Sequence, residues 1–140
     1  FKRNVKLVIN PLSELLQKTD SAIQKLFIIT VYYRRYYDNA ILVGGCPVLN
    51  IGVDAHHTNP ELFNLSRNVA QRLEDGITDI IKLGIKQGEI KPEIEVKAYS
   101  ERIFSMIEGG AFMSFLKDSK SYMDNTMDQL ENMIKNEMIR

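Results

Sequence analysis

Apolar residues recur along this chain at spacings of three and four, the period of an α-helix. In residues 1–18 the positions are Val5, Val8, Ile9, Leu12, Leu15 and Leu16. Pro11 falls inside this pattern, so it either kinks one helix or opens a second. Thr19, Asp20 and Ser21 then offer side-chain oxygens to the free N–H groups of a following helix. From Ala22 to about Asn39 the chain is apolar on nearly every side, through Leu26, Phe27, Ile28, Ile29, Val31, Tyr32 and Tyr33. A helix without a polar face is a buried one. The i,i+4 spacing predicts stacked pairs Tyr32/Tyr36 and Tyr33/Tyr37.

The run Val43–Asn50 ends that element. Gly44 and Gly45 break regular structure, and Pro47 fits the first turn of a new helix, where its missing N–H has no cost. The expected helix covers 47–55 and puts Cys46 at its start. His56, His57 and Thr58 form a connection. Asn59 as cap, Pro60 in the first turn and Glu61 behind it open a long helix through Leu62, Leu65, Val69, Leu73, Ile77, Ile80, Ile81 and Gly84. It should end near Gln87, with Gly88 as a left-handed stop and Pro92 beyond. A further helix is expected from Glu95 to about Leu116, carrying the stripe Tyr99, Ile103, Met106, Gly110, Met113 beside Phe104, Ile107, Ala111 and Phe115. Asp118 and Ser119 should end it and cap a last helix with Met123, Met127, Leu130, Ile134 and Met138 on one stripe. The expected fold is therefore all-α, a single bundle of about six helices over residues 1–140.

The two closing helices carry more apolar surface than one stripe each. Gly109 and Gly110 in mid-helix cost about 1 kcal/mol apiece in propensity, which suggests close approach by another helix. The surplus can be buried in a larger core of the same chain or against a second copy. Taken as a homodimer contact, a four-helix bundle would use Met106, Gly110, Met113, Met123, Met127, Leu130 and Ile134.

Composition limits the function. Eighteen Lys and Arg balance eighteen Asp and Glu, so no overall charge draws the chain to nucleic acid or an anionic membrane. Positive charge gathers at the N-terminal edge, seven against three in residues 1–40. The single cysteine rules out an internal disulfide framework or a Cys-rich metal site. No apolar run approaches the ~18 residues that span a bilayer, and a reducing cytoplasmic setting is expected. The chain opens on Phe1 in helix-like sequence, as a fragment of a longer protein would.

Catalytic chemistry is sparse. Cys46 with His56 or His57 could form a thiolate pair, but a small buried hydrophobe near two loop histidines accounts for the same residues. Adjacent histidines point ~100° apart on a helix and chelate one ion poorly. Neither a catalytic nor a metal site is expected, and no cofactor. The tyrosines say more: Tyr32, Tyr33, Tyr36 and Tyr37 are rigid rings with hydroxyl handles, suited to orienting a ligand or to core packing. Glu108 on an apolar helix needs a partner if it faces inward and none if it faces out.

Gly-Gly-Cys-Pro-Val-Leu-Asn at 44–50, Asn-Pro at 59–60 opening a long helix, Gly88-Glu89-Ile90-Lys91, and Glu108-Gly109 within the next helix occur in one order. Together they resemble the C-terminal domain of TetR-type transcriptional repressors, over nearly the whole chain. The resemblance implies a domain that dimerises and accepts a small-molecule effector. The helix-turn-helix domain that binds DNA in that family is absent here, so DNA would be a partner of the parent protein only. On this reading the effector pocket draws on Tyr33, Tyr36, Tyr37, Cys46, Asn50, Phe104, Glu108 and Phe112. A small helical enzyme or carrier, and a structural dimerisation unit without ligand, are the alternatives.

Overall fold

A computed structural model describes residues 2–36 and 46–140 as six α-helices, closed by one π-helical turn. They are α1 (Lys2–Leu16), α2 (Ala22–Arg34), α3 (Pro47–Ala55), α4 (Pro60–Gln87), α5 (Val96–Lys117) and α6 (Ser121–Met133), with the turn at Ile134–Met138. The all-α expectation holds. Tyr37, Gly44, Gly45 and the part of the second helix expected beyond residue 36 lie outside the described residues.

Local chemistry sets the helix ends. Pro11 lies within a single helix α1. Ser21 caps α2, its hydroxyl accepting from Gln24 N at 3.2 Å. A second acceptor for that end comes from far along the chain: Glu89 Oε1 accepts from Ser21 Oγ at 2.8 Å and from Ile23 N at 3.0 Å. Asn59 accepts from Leu62 N at 3.1 Å and Pro60 begins α4. Gly88 stops it in the left-handed region at φ 79°, which glycine enters without a Cβ clash. At the α5–α6 corner the main cap differs from the expected one. Ser114 Oγ, on α5, accepts from Met123 N at 3.1 Å, while Ser119 Oγ accepts from Ser121 N at 3.3 Å.

The core lies between α2, α4, α5 and α6. Leu26 and Ile29 of α2 meet Ile77 and Ile81 of α4, Ile103 and Ile107 of α5, and the α6 stripe. That stripe corrects the subunit-contact reading. Met123, Met127, Leu130 and Ile134 are 0–1% exposed within this one chain, so they seal its own core. Gly110 also serves the interior: a Cβ there would lie 2.9 Å from Met123 Sδ, so the close approach its position suggested is made by α6 of the same chain. The π turn carries the stripe past the end of α6. Its i→i+5 bond, Ile139 N to Ile134 O at 3.0 Å, leaves Ile134 and Met138 buried. The C-terminal residues then pair with the α4–α5 loop, Lys91 N to Met138 O at 2.9 Å and Arg140 N to Glu89 O at 3.0 Å.

Polar contacts fix the helices in register. Arg34 at the end of α2 reaches Asp128 and Glu131 of α6, each at 2.6 Å. Thr30, fully buried, donates to Phe27 O at 2.8 Å, and its hydroxyl lies 3.1 Å from Glu131 Oε2. Thr78 donates to Ser100 across the α4–α5 contact at 2.8 Å.

Candidate functional site

The packing of α3 against α4 and α5 leaves a cavity of about 560 Å³. Helix α3 contributes Val48, Leu49, Gly52 and Val53; α4 contributes Phe63, Ser66, Arg67 and Ala70; α5 contributes Phe104 and Glu108. His56 and His57, in the α3–α4 connection, complete the wall. A volume of this size suits a drug-sized molecule, and the wall is mostly apolar with few polar groups, as ligand sites are.

The local sequence explains the hollow. Helix α3 is short because it runs from Pro47 to the His56–Thr58 turn. Gly52 keeps its contact with α4 close, a Cβ there lying 3.6 Å from Ser66 Cβ. Phe63 props the mouth: His56 meets it edge-on at 4.8 Å between centroids, and the Arg67 guanidinium lies 5.9 Å from its ring centre. The two histidines interact with each other, His56 Nδ1 to His57 Nε2 at 3.2 Å. Neither approaches Cys46 as a catalytic pair would.

Glu108 faces inward. Its carboxylate accepts a hydrogen bond from the Cys46 thiol, and its second oxygen, Oε2, is buried without a partner. Desolvation by burial raises its pKa above the ordinary carboxylate value; the thiol bond opposes that shift. Burial, and then the charge of Glu108, push the Cys46 thiol well up, the opposite of what a nucleophilic cysteine needs. Tyr33 and Tyr36 stand on the far side of this pair and are likewise raised by burial, so their phenols stay neutral. Among the described residues Ser66 is the other buried group without a partner: its Oγ has no hydrogen bond, and the residue is 3% exposed.

The sequence-expected pocket residues divide. Glu108 and Phe104 line the large cavity. Tyr33, Tyr36 and Cys46 surround only a cramped space of about 20 Å³ behind Glu108. Tyr33 and Phe104 also border a third hollow of about 230 Å³, towards α1. Asn50 lines none of these hollows, and Phe112 points outward at 38% exposure. Of the expected i,i+4 pairs, Tyr33/Tyr37 lies outside the described residues and Tyr32/Tyr36 is not among the ring contacts. Among the described residues the tyrosine ring contacts are Tyr32–Tyr33 at 5.2 Å and Tyr33–Tyr36 at 5.3 Å. Sequence reasoning missed the α3 wall residues, His56, His57 and Arg67 and, also on α4, Phe63, Ser66 and Ala70. The i, i+3, i+7 spacing of these last three puts them on one face of α4, but a serine and an alanine beside the stronger aliphatic stripe gave no signal of a site.

The sequence profile of the family described as "Tetracyclin repressor-like, C-terminal domain" matches residues 22–130. Two solved structures share the fold. One is a TetR transcriptional regulator from Chloroflexus aurantiacus, at TM-score 0.91 and 23% identity, over 99% of this chain and 70% of that one. The other is a TetR-family transcriptional regulator from Cytophaga hutchinsonii, at TM-score 0.87 and 24% identity, over 100% of this chain and 70% of that one. No curated protein matches the chain significantly.

Proposed function

The chain belongs to the family of tetracyclin repressor-like C-terminal domains, and from that footing we propose that it is the effector-sensing and dimerisation domain of a cytoplasmic transcriptional repressor. The observation that carries the sensing role is the cavity of about 560 Å³ between α3, α4 and α5, apolar except for a few polar groups. A cleft of this size and lining can bury most of a drug-sized molecule. The DNA-binding head is assigned to the parent protein, ahead of α1.

Coupling follows from the packing. Helix α3 forms one wall of the cavity and also touches α1, which rests on α2. A ligand that fits one position of α3 better than another biases α1, and with it anything attached to α1. The bias can be no larger than the ligand's difference in affinity between the two positions.

For dimerisation we propose the outer face of α5. Phe112, Phe115 and Leu116 are exposed there, with Met106 and Met113 half-buried beside them. Gly109 has open space above it, room for a twin helix to come close. Light scattering should give twice the monomer mass, and Phe112→Glu should give a monomer with an unchanged helical spectrum; a monomeric parent chain rejects the dimer. Native mass spectrometry of protein purified from cells tests the sensing role. A bound small molecule at stoichiometric level is expected, and a cavity that accepts no small molecule in a broad ligand screen overturns it.

A further inference from the structure

We propose that the molecule taken up by this cavity is an apolar body bearing a protonated amine, with Glu108 holding the amine and Ser66 offering a second polar contact. The proposal rests on reading the cavity as an effector pocket and names the chemistry of its occupant.

Among the described residues, the buried side-chain oxygens and nitrogens without a hydrogen-bond partner are Glu108 Oε2 and Ser66 Oγ. Both residues stand on the wall of the same cavity, from facing helices α5 and α4. Buried polar atoms are nearly always satisfied, and an orphan costs its full desolvation. Two such orphans on residues of one cavity wall mark where a ligand's polar atoms would find partners after a small side-chain rotation.

The charge pattern selects the ligand class. The Glu108 carboxylate is engaged by the Cys46 thiol, and among the described residues no basic side chain acts on the group. Arg67, on α4, is exposed and lies over Phe63 instead. Nearby, Tyr33 of α2, Tyr36 just beyond it and Cys46 before α3 are neutral acids that bring no positive charge. An ionised carboxylate buried here has no counter-ion among the described residues. A ligand carboxylate would meet Glu108 with like charge. A hydroxyl could donate one bond but would leave the charge unbalanced. A protonated amine supplies both the charge and a charge-assisted hydrogen bond, about twice as strong as a neutral one. Phe63 and Phe104 add ring surfaces that attract a cation and cover an apolar body. When Glu108 is protonated beforehand, the arriving ammonium displaces its proton to the buffer, and the ion pair takes its place.

The test is titration calorimetry of the chain with octylamine, octanol and octanoate, which share one apolar body. Octylamine should bind at least about ten-fold more tightly than the other two. Glu108→Gln should bring octylamine down to the octanol level and leave octanol unchanged, and Ser66→Ala should cause a smaller loss. On the unaltered protein, octylamine binding should release a proton at mildly acidic pH, seen as a dependence of heat on buffer, and octanol binding should not. That measurement decides the matter even if Glu108→Gln does not fold. Octanol or octanoate binding as tightly as octylamine, or octylamine binding without proton release, overturns the amine and leaves the pocket standing. Binding of none of the three removes the pocket reading as well.

Discussion

The Cys46 thiol donates a hydrogen bond to the carboxylate of Glu108, tying the start of α3 to the middle of α5. This contact joins two segments far apart in sequence at the edge of the hollow between α3, α4 and α5. It engages the carboxylate while Oε2 stays buried without a hydrogen-bond partner. The cysteine therefore acts as an orienting group for the acid, and its reactivity is suppressed by the same contact.

Stability should decline as pH rises above the ordinary carboxylate value. Glu108 is raised in the folded state, so between its unfolded and folded pKa the folded protein holds more protons than the unfolded chain. Stability is greatest below that window and falls through it, with this residue contributing a slope of at most about 1.4 kcal/mol per pH unit. Urea midpoints measured from acid to neutral pH should show the decline, and Glu108→Gln should flatten it. An identical slope in the variant would assign the pH dependence to other groups.

Cys46 should react slowly with thiol reagents while the protein is folded. It is 7% exposed, and its thiol is pushed well up by burial and by Glu108. The thiolate is the reacting form. Labelling with a chromogenic disulfide at neutral pH should be on the order of a hundred-fold slower than in urea. Equal rates would place the thiol in solvent.

Two glycines of α4 should respond oppositely to alanine. At Gly84 a Cβ would stand 2.3 Å from Ile90 Cδ1 and 3.0 Å from Ala22 Cβ, inside the joint between α2, α4 and the α4–α5 loop. Gly84→Ala should lose roughly 1–3 kcal/mol through overpacking. At Gly76 nothing lies within 4 Å, so Gly76→Ala should gain about 0.5–1 kcal/mol in helix propensity. Thermal denaturation of the two variants checks both signs.

The α6 stripe should behave as core. Met127 and Leu130 are 0% and 1% exposed. Replacing either by alanine should cost about 2–5 kcal/mol in chemical denaturation, at a protein concentration where assembly is held constant. A change confined to assembly, with the unfolding midpoint unmoved, would return the stripe to a subunit contact.

The sequence alone determined the helices and most of their ends. Apolar period, Ser21, Pro47, Asn59-Pro60 and Gly88 act over a few residues, so they could be read without knowing what packs where. It also placed Glu108 on an apolar helix and Cys46 at a helix start. Tertiary structure alone decided the partners. The stripe from Met123 to Ile134 looks the same whether a second chain or its own bundle covers it, because periodicity records that a face is buried and not by what. Ser66 carried no signal, since a lone serine on a long helix is ordinary. It became informative only when α3 crossed it, shut out water and left its hydroxyl without a partner, beside a carboxylate in the same condition.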